Sequence, residues 1–437
     1  MSHADELLKY FREQKADTDR RVSEGIEKYR KGDACVLVAC DGDLSGDITV
    51  KVTQRSHAFR FGANLFMLDE FESEEKNKEY RKKFPELFNL ATLPFYWNTL
   101  EPIEGKPRFD KDSPRIYRRP ATDLCLEYCI ENGIEPKCHC LNYDSYSPQW
   151  IIGAPVEKIK EKLEKRFAEI ASRYADSIPW IEVTNETLQR SHGTPFFDED
   201  DFLEWSYRTA DTYFPNNRLI INDYNVWDPS GENTRNYYYM QIDRLLRGGA
   251  RIDTAGIQFH SFFTPEQEER IAAQRYNPAR LYNLLDLLSK LGLSLQITEM
   301  TIPARTESDE DEALQAEITE NVYKIFFSHP AMNAIIYWNL VDGYAWNAEP
   351  GDMTKGENLC RGGLLRFDMS EKPVYKTLRR LIRDEWNTSV TSKAVGGKAV
   401  FRGFYGTYDV EVSCKNRTAK TVMTISEGGE NAVTVKL

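Results

Sequence analysis

The sequence predicts an α/β protein: a closed (β/α)8 TIM barrel carrying a small β-sandwich module formed by its N- and C-terminal flanks. Three observations carry this reading. Eight short apolar runs alternate with longer amphipathic stretches between about residues 58 and 386. The polar residues of those runs gather at their C-terminal ends. Segments of period-two alternation, separated by turn residues, stand on both sides of that region. A chain of 437 residues with 41% hydrophobic content can bury a core of the size this requires.

Taken in order, residues 4 to 31 read as a helix, with Leu7, Leu8, Phe11, Val22, Ile26 and Tyr29 apolar among many charges. "ACVLVACDGDLSGDITVKV" follows, two alternating runs around an Asp/Gly/Ser turn, the pattern of a hairpin or a pair of neighbouring strands. Residues 1–57 thus contribute a helix and a hairpin to the β-sandwich module. The barrel is expected over 58–386. Its strands are "AFRFGANL", "NLATLPFY", "IEPKCHCL", "WIEVTNE", "RLIINDYN", "TAGIQFH", "LSLQITEM" and "NAIIYWNL". Parallel strands are buried on both faces, so they read as continuous apolar runs. Residues 387–397 look like a linker, and 398–437 hold three short strands, "FRGFYGTYDVEVSC", "TAKTVMTIS" and "NAVTVKL". Three short strands make a poor sheet alone, so they are expected to complete the sandwich with the N-terminal hairpin.

The C-terminal ends of barrel strands open into one shared mouth. Asn185, Glu186, Asn222, Asp223, Asn225, Gln258, His260, Glu299, Trp338 and Asp342 would converge there. Glu186 ends the fourth run and Glu299 lies near the end of the seventh. Cleavage of a glycosidic bond with retention needs one carboxylic acid to protonate the leaving oxygen and one carboxylate to attack the anomeric carbon, about 5–5.5 Å apart. The two glutamates are candidates for that pair.

These residues carry a resemblance to glycoside hydrolase family 10, the family of retaining β-1,4-xylanases. It runs from "FRFGANLF" to "KPVY". It includes the Asn185–Glu186 pair, "NDYN" at 222–225, "GIQFH" at 256–260, Thr298–Glu299, "YWNLVDGYAW" at 337–346 and "LLRFDMSEKPVY" at 364–375. The resemblance implies that Glu186 is the acid/base and Glu299 the nucleophile. Substrate contacts are expected from Asn185, His139, Gln258, His260, Trp97, Trp338, Trp346, Tyr224 and Asn225. Asn185 would donate to the sugar 2-hydroxyl, Trp338 and Trp346 would offer aromatic faces to pyranose rings, and His260 would hold Glu299 ionised.

The sequence departs from the family where the sugar is gripped. Trp97, Glu101 and Pro102 are present, but the Glu-Asn pair of the family is absent and Tyr96 stands where its lysine is expected. Tyr143 and Asp144 replace a Trp-His pair, and Thr301 occupies the place of an Asp two residues beyond the nucleophile. The machinery for hydrolysis is kept while the grip on the sugar is changed.

The rest of the composition narrows the partners. Asp and Glu number 69 against 57 Lys and Arg, a formal net charge of −12 without a basic block, which argues against nucleic acid or an anionic membrane surface. The segment "MSHADELLKYFREQ" has no apolar signal core, and no run is long enough to span a bilayer, so a cytoplasmic protein is expected, or a secreted one if a leader was removed. The eight cysteines form no disulfide framework and read as reduced thiols. Cys125, Cys129, Cys138 and Cys140 cluster around His139, but their spacing favours buried small residues over a metal site. The expected partner is an oligosaccharide, with no metal or organic cofactor.

Overall fold

The computed structural model describes residues 3–39, 47–188, 193–224, 226–227, 235–264 and 267–437, the side chains of 269 and 270 excepted. In chain order, β1 (Lys31–Ala39) and β2 (Ile48–His57) precede the barrel strands β3 (Arg60–Asn64), β4 (Leu90–Pro94), β5 (Glu135–His139) and β6 (Trp180–Asn185). The barrel continues through β7 (Arg218–Asp223), β8 (Thr254–His260), β9 (Ser294–Thr301) and β10 (Met332–Tyr337). Five strands follow: β11 (Ser389–Lys393), β12 (Lys398–Phe404), β13 (Gly406–Cys414), β14 (Arg417–Ile425) and β15 (Ala432–Lys436).

Strands β3 to β10 pair in parallel in chain order, and β10 closes on β3. Each of the eight apolar runs supplies one strand. Every residue of β4 and of β6 is buried, as strands covered on both faces require. Gly256 lets β8 pack close beneath the mouth: a Cβ there would lie 2.6 Å from the Thr298 Cγ2 and 2.9 Å from the Ile221 carbonyl.

The outer helices set the strand ends. The helix Val156–Tyr174 buries Ile159, Leu163, Arg166, Phe167, Ile170 and Tyr174, one face at helical spacing. From that face Arg166 donates to the carbonyls of Phe95, Cys140 and Leu141, just beyond β4 and β5. A charged side chain thus ties down the backbone that carries Tyr96, His139 and Tyr143. The acidic segment at 307–314 starts the helix Asp309–Ser328, where Ser308 caps the Asp311 N–H and four acidic residues fill the first turn.

Three expectations for the flanks are corrected. The N-terminal helix is three successive segments, His3–Leu7, Lys9–Glu13 and Lys15–Tyr29, and it belongs with the barrel and not the sandwich. Leu7, Leu8 and Phe11 enter the barrel's core, Arg21 pairs with Asp286, and Arg30 donates to the Phe327 carbonyl. Gly25 permits this docking, since a Cβ would lie 2.4 Å from the Ser328 carbonyl oxygen. Secondly, β1 and β2 are not hairpin partners. β1 lies between β12 and β15 in a three-stranded sheet, and β2 lies between β11 and β13 in a four-stranded one. Their alternate residues Ala34, Val36 and Val38, and Ile48, Val50 and Val52, face one shared core from opposite sheets, which buries both sets at once. Thirdly, the stretch read as a linker contains β11, whose Ser389–Lys393 pair antiparallel with Thr53–Thr49 of β2.

Seven cysteines of the described residues are free thiols; Cys40 lies outside the described residues. Among the described residues, no helix is long and apolar enough to cross a membrane.

Candidate active site

At the C-terminal ends of the barrel strands lies a cavity of about 770 Å³. Glu186, just past β6, and Glu299, in β9, both line it. A chain of side-chain amides connects them. Gln258 Nε2 lies 3.1 Å from Glu186 Oε1 and 3.2 Å from Asn185 Oδ1. Asn222 Nδ2 lies 2.8 Å from the same Asn185 oxygen and 2.9 Å from Glu299 Oε1. Four strands, β6 to β9, therefore fix the two carboxyl groups relative to each other.

Glu186 is held from several directions. Its backbone adopts φ +55°, a region that non-glycine residues enter at a cost. Its N–H donates to the Asn222 carbonyl at 3.0 Å. Asp223 accepts from the backbone N–H groups of Thr187 and Leu188 at 2.7 and 3.0 Å, which pins the turn after Glu186. Burial pushes the Asp223 carboxyl up to about 7, against the lowering effect of those donors. Asp223 was expected at the mouth, and its work is to shape the backbone beneath it. The Tyr143 hydroxyl donates to Glu186 Oε2 at 2.5 Å.

Glu299 is enclosed and 4% exposed. Its Oε2 is 3.1 Å from His260 Nε2, and His260 Nδ1 is 3.0 Å from the Thr301 hydroxyl. The expectation that His260 holds Glu299 ionised is corrected by the electrostatics. Burial lowers His260 to about 4, so it is a neutral imidazole near neutrality. Burial, with the charges of Glu182 and Glu186, pushes the Glu299 carboxyl up to about 8 despite His139 and Lys137 nearby. With Nε2–H donating to Glu299, the neutral ring accepts at Nδ1 from Thr301.

Beneath the cavity is a fully buried ionic cluster. Lys137 Nζ lies 2.6 Å from Glu182 Oε2, and His139 Nδ1 lies 2.7 Å from Glu182 Oε1. Although burial works against its charge, His139 and Lys137 hold Glu182 down at about 2. His139 then meets the Tyr96 hydroxyl through Nε2 at 2.9 Å. His139, Cys140 and Glu182 can each bring one ligand atom within 4.8 Å of the others. The Lys137 ammonium already occupies one oxygen of that carboxylate, and burial holds the Cys140 thiol well above its usual range, so the donor set suits an internal ion pair and not a metal cation.

The walls are aromatic. Tyr96 stacks on Tyr146 at 4.2 Å, Tyr143 lies 5.1 Å from Tyr146, and Phe66 meets Trp338 edge-on at 5.4 Å. At the rim Trp346 is half exposed, and Phe262 stacks on His260 at 4.5 Å.

Of the residues singled out in the sequence, Glu186, Glu299, Asn185, His139, Gln258, His260, Tyr224, Trp338 and Trp346 line the cavity. Trp97 does not. It is packed against Trp150 in a separate cluster, donating through Nε1 to Glu101 at 3.0 Å. Asp342 is likewise internal, paired with Lys372 at 3.1 Å. Asn225 lies outside the described residues. Sequence reasoning missed Phe66, Arg118, Arg119, Tyr146 and Phe262 as lining residues. Arg118 and Arg119 come from a long connection without periodicity, so nothing in the pattern pointed to the cavity.

A barrel with two carboxyl groups at the ends of β6 and β9, within an aromatic cleft, is the architecture of a glycoside-cleaving site. The pattern of the family described as "Glycosyl hydrolase family 10" matches residues 76–380, and the chain belongs to that family. Anti-sigma-I factor RsgI6 of Acetivibrio thermocellus is 24% identical over 401 residues, 90% of this chain and 46% of that protein. Endo-1,4-beta-xylanase 2 of Arabidopsis thaliana is 24% identical over 396 residues, 88% of this chain and 32% of that protein. The chain spans less than half the length of either relative. Xylanase 10B of Thermotoga petrophila, solved with xylobiose, superposes with a TM-score of 0.58 at 23% identity, over 75% of this chain and 95% of that one. This likeness establishes the barrel fold.

Proposed function

We propose that the chain hydrolyses β-glycosidic bonds with retention, Glu186 acting as general acid/base and Glu299 as nucleophile. The carrying observation is the amide chain Gln258–Asn185–Asn222, which joins the two carboxyl groups inside one cavity. Attack requires an ionised Glu299 and a protonated Glu186, one proton between two carboxyl groups. Burial, with the charges of Glu182 and Glu186, pushes the Glu299 carboxyl up to about 8, so a proton stays at this site near neutrality. Glu186 passes it to the leaving oxygen, while Asn222 and His260 each donate to a Glu299 oxygen and orient it. In the second half of the reaction Glu186 takes a proton from water, which opens the glycosyl-enzyme bond.

The substrate we infer is a β-1,4-linked xylo-oligosaccharide or xylan. Family membership supports this class, as does the named activity of the Arabidopsis relative. Trp338, Trp346 and the tyrosine wall supply stacking faces, with Asn185, His139, Gln258, His260 and Tyr224 as polar contacts. The test is hydrolysis of aryl β-xylosides, aryl β-glucosides and the matching oligosaccharides, with product anomers followed by NMR. Early β-anomer from wild type, lost in Glu299→Ala and Glu186→Ala, supports the assignment. Turnover of glucosides alone moves the substrate to another β-glycoside; sugar binding without any turnover replaces the hydrolase with a carbohydrate-binding barrel.

A further inference from the structure

Arg118 and Arg119 lie on the connection between the helices Trp97–Leu100 and Thr122–Asn132, and both line the cavity. They are 5% and 8% exposed. Neither forms an ion pair with a carboxylate among the described residues, the bridges on either side of them in the chain being those of Arg115 and Lys137. Arg118 Nη2 donates to Asn339 Oδ1 at 3.3 Å, Arg119 donates through Nη1 to the Arg118 carbonyl at 2.7 Å and also hydrogen-bonds Tyr146, and the Nε of each is buried without a partner among the described residues. Rings flank them: Arg119 lies 4.2 Å from the Tyr96 centroid and 5.1 Å from that of Phe66, and Arg118 lies 6.0 Å from that of Phe66.

The contrast with Arg108, on the same connection, is instructive. Each of its three nitrogens donates to a carbonyl, those of Pro114, Thr99 and Arg119. Arg108 therefore serves the fold, whereas Arg118 and Arg119 bring two under-satisfied cations to the wall of a cavity that binds substrate. A buried cation without a counter-charge is costly, and a guanidinium presents a planar fork of donors matched to a carboxylate.

We propose that Arg118 and Arg119 form a subsite for a carboxylate carried by the glycan, so that the preferred substrate is a β-glycoside bearing a uronic acid. The proposal rests on the hydrolase reading for its catalytic consequence but not for binding. Tyr96 and Phe66 hold the guanidinium groups in place from one side, leaving donors for a bidentate contact with the uronate, and the aromatic wall covers the apolar face of the sugar.

The test compares three oligosaccharides of one length: neutral, bearing a single uronic acid, and the same compound with its carboxyl reduced to the alcohol. The expected kcat/KM for the uronate exceeds that for the carboxyl-reduced compound by about ten-fold or more, and the ratio falls as salt is raised. It collapses toward one in Arg118→Gln and Arg119→Gln, and Arg119→Lys keeps part of it. Equal rates for the uronate and its reduced form in wild type overturn the subsite, a result that depends on no variant's folding. A sulfated oligosaccharide preferred over the uronate replaces carboxylate by sulfate and also overturns it. If no compound is turned over, calorimetry decides: uronate-selective binding lost in the arginine variants upholds the subsite and sinks the hydrolase reading, and unselective or absent binding sinks the subsite.

Discussion

His260 faces Glu299 with one ring nitrogen at 3.1 Å and the Thr301 hydroxyl with the other at 3.0 Å, so a neutral group stands behind the imidazole that touches Glu299. Thr301→Asp would place a carboxylate at Nδ1, raise His260 and make it an imidazolium. The cation stabilises ionised Glu299, so the pair gives up its last proton at lower pH. The proposed mechanism needs one proton on the pair, and because burial pushes the Glu299 carboxyl up to about 8, the alkaline limb of kcat/KM in wild type is expected near pH 8. In Thr301→Asp that limb moves to lower pH. A pH–rate profile with an unmoved alkaline limb would sink this account.

The same carboxyl predicts a stability effect. An acid whose folded value is about 8, far above its unfolded one, favours the folded state less as pH rises through that interval. Wild type therefore loses stability between about pH 4.5 and pH 8, and Glu299→Gln, which cannot ionise, is spared that loss. The variant should melt higher than wild type at pH 8, by an amount equivalent to roughly 2–4 kcal/mol, and the gap should close by about pH 5. Melting curves across that range test it, and a constant gap would refute it.

Tyr143 reaches Glu186 through a short hydrogen bond, and Tyr143→Phe removes it while keeping the ring contact with Tyr146. Gln258 is then the remaining side-chain hydrogen-bond partner of Glu186 among the described residues. A hydrogen bond to a charged group contributes about 1.5–3 kcal/mol, so kcat should fall about ten- to a hundred-fold with a small change in melting temperature. An aryl glycoside with a good leaving group needs little protonation and should lose less. Equal losses on good and poor leaving groups would show that Tyr143 does not act through Glu186.

The buried Lys137–Glu182 pair should be far more sensitive to half removal than to full replacement. Glu182→Gln leaves the Lys137 ammonium uncompensated and is expected to cost about 3–5 kcal/mol, with Lys137→Met plus Glu182→Leu milder than the two single changes combined. Denaturant unfolding of Glu182→Gln, of Lys137→Met and Glu182→Leu singly, and of their double gives the comparison, and simple additivity would count against a paired charge.

How much of this was legible in the chain follows from what each residue had to satisfy. The eight barrel strands could be read because burial on both faces forces continuous apolar runs, and the glutamates because strand ends converge. Trp97 misled because residue type cannot distinguish a sugar platform from a core tryptophan bonded to Glu101. β11 was unreadable in "SVTSK", whose side chains are half exposed and whose strand is defined by pairing with β2 from the other end of the chain. The electrostatic state of Glu299 depends on Glu182, Lys137 and His139 lying below it, a depth that spacing alone does not encode.

Lys31 of β1 pairs with Phe404 of β12, and Thr49 of β2 with Ser413 of β13. A ribosome therefore releases β1 and β2 while the whole barrel is still to be made, and both carry open edges until the distal strands emerge. The barrel can close from neighbouring strands as they appear, but its small companion cannot begin. Translation halted after the barrel leaves two strands with both edges open beside an otherwise finished barrel, free to pair with the same strands of another nascent copy.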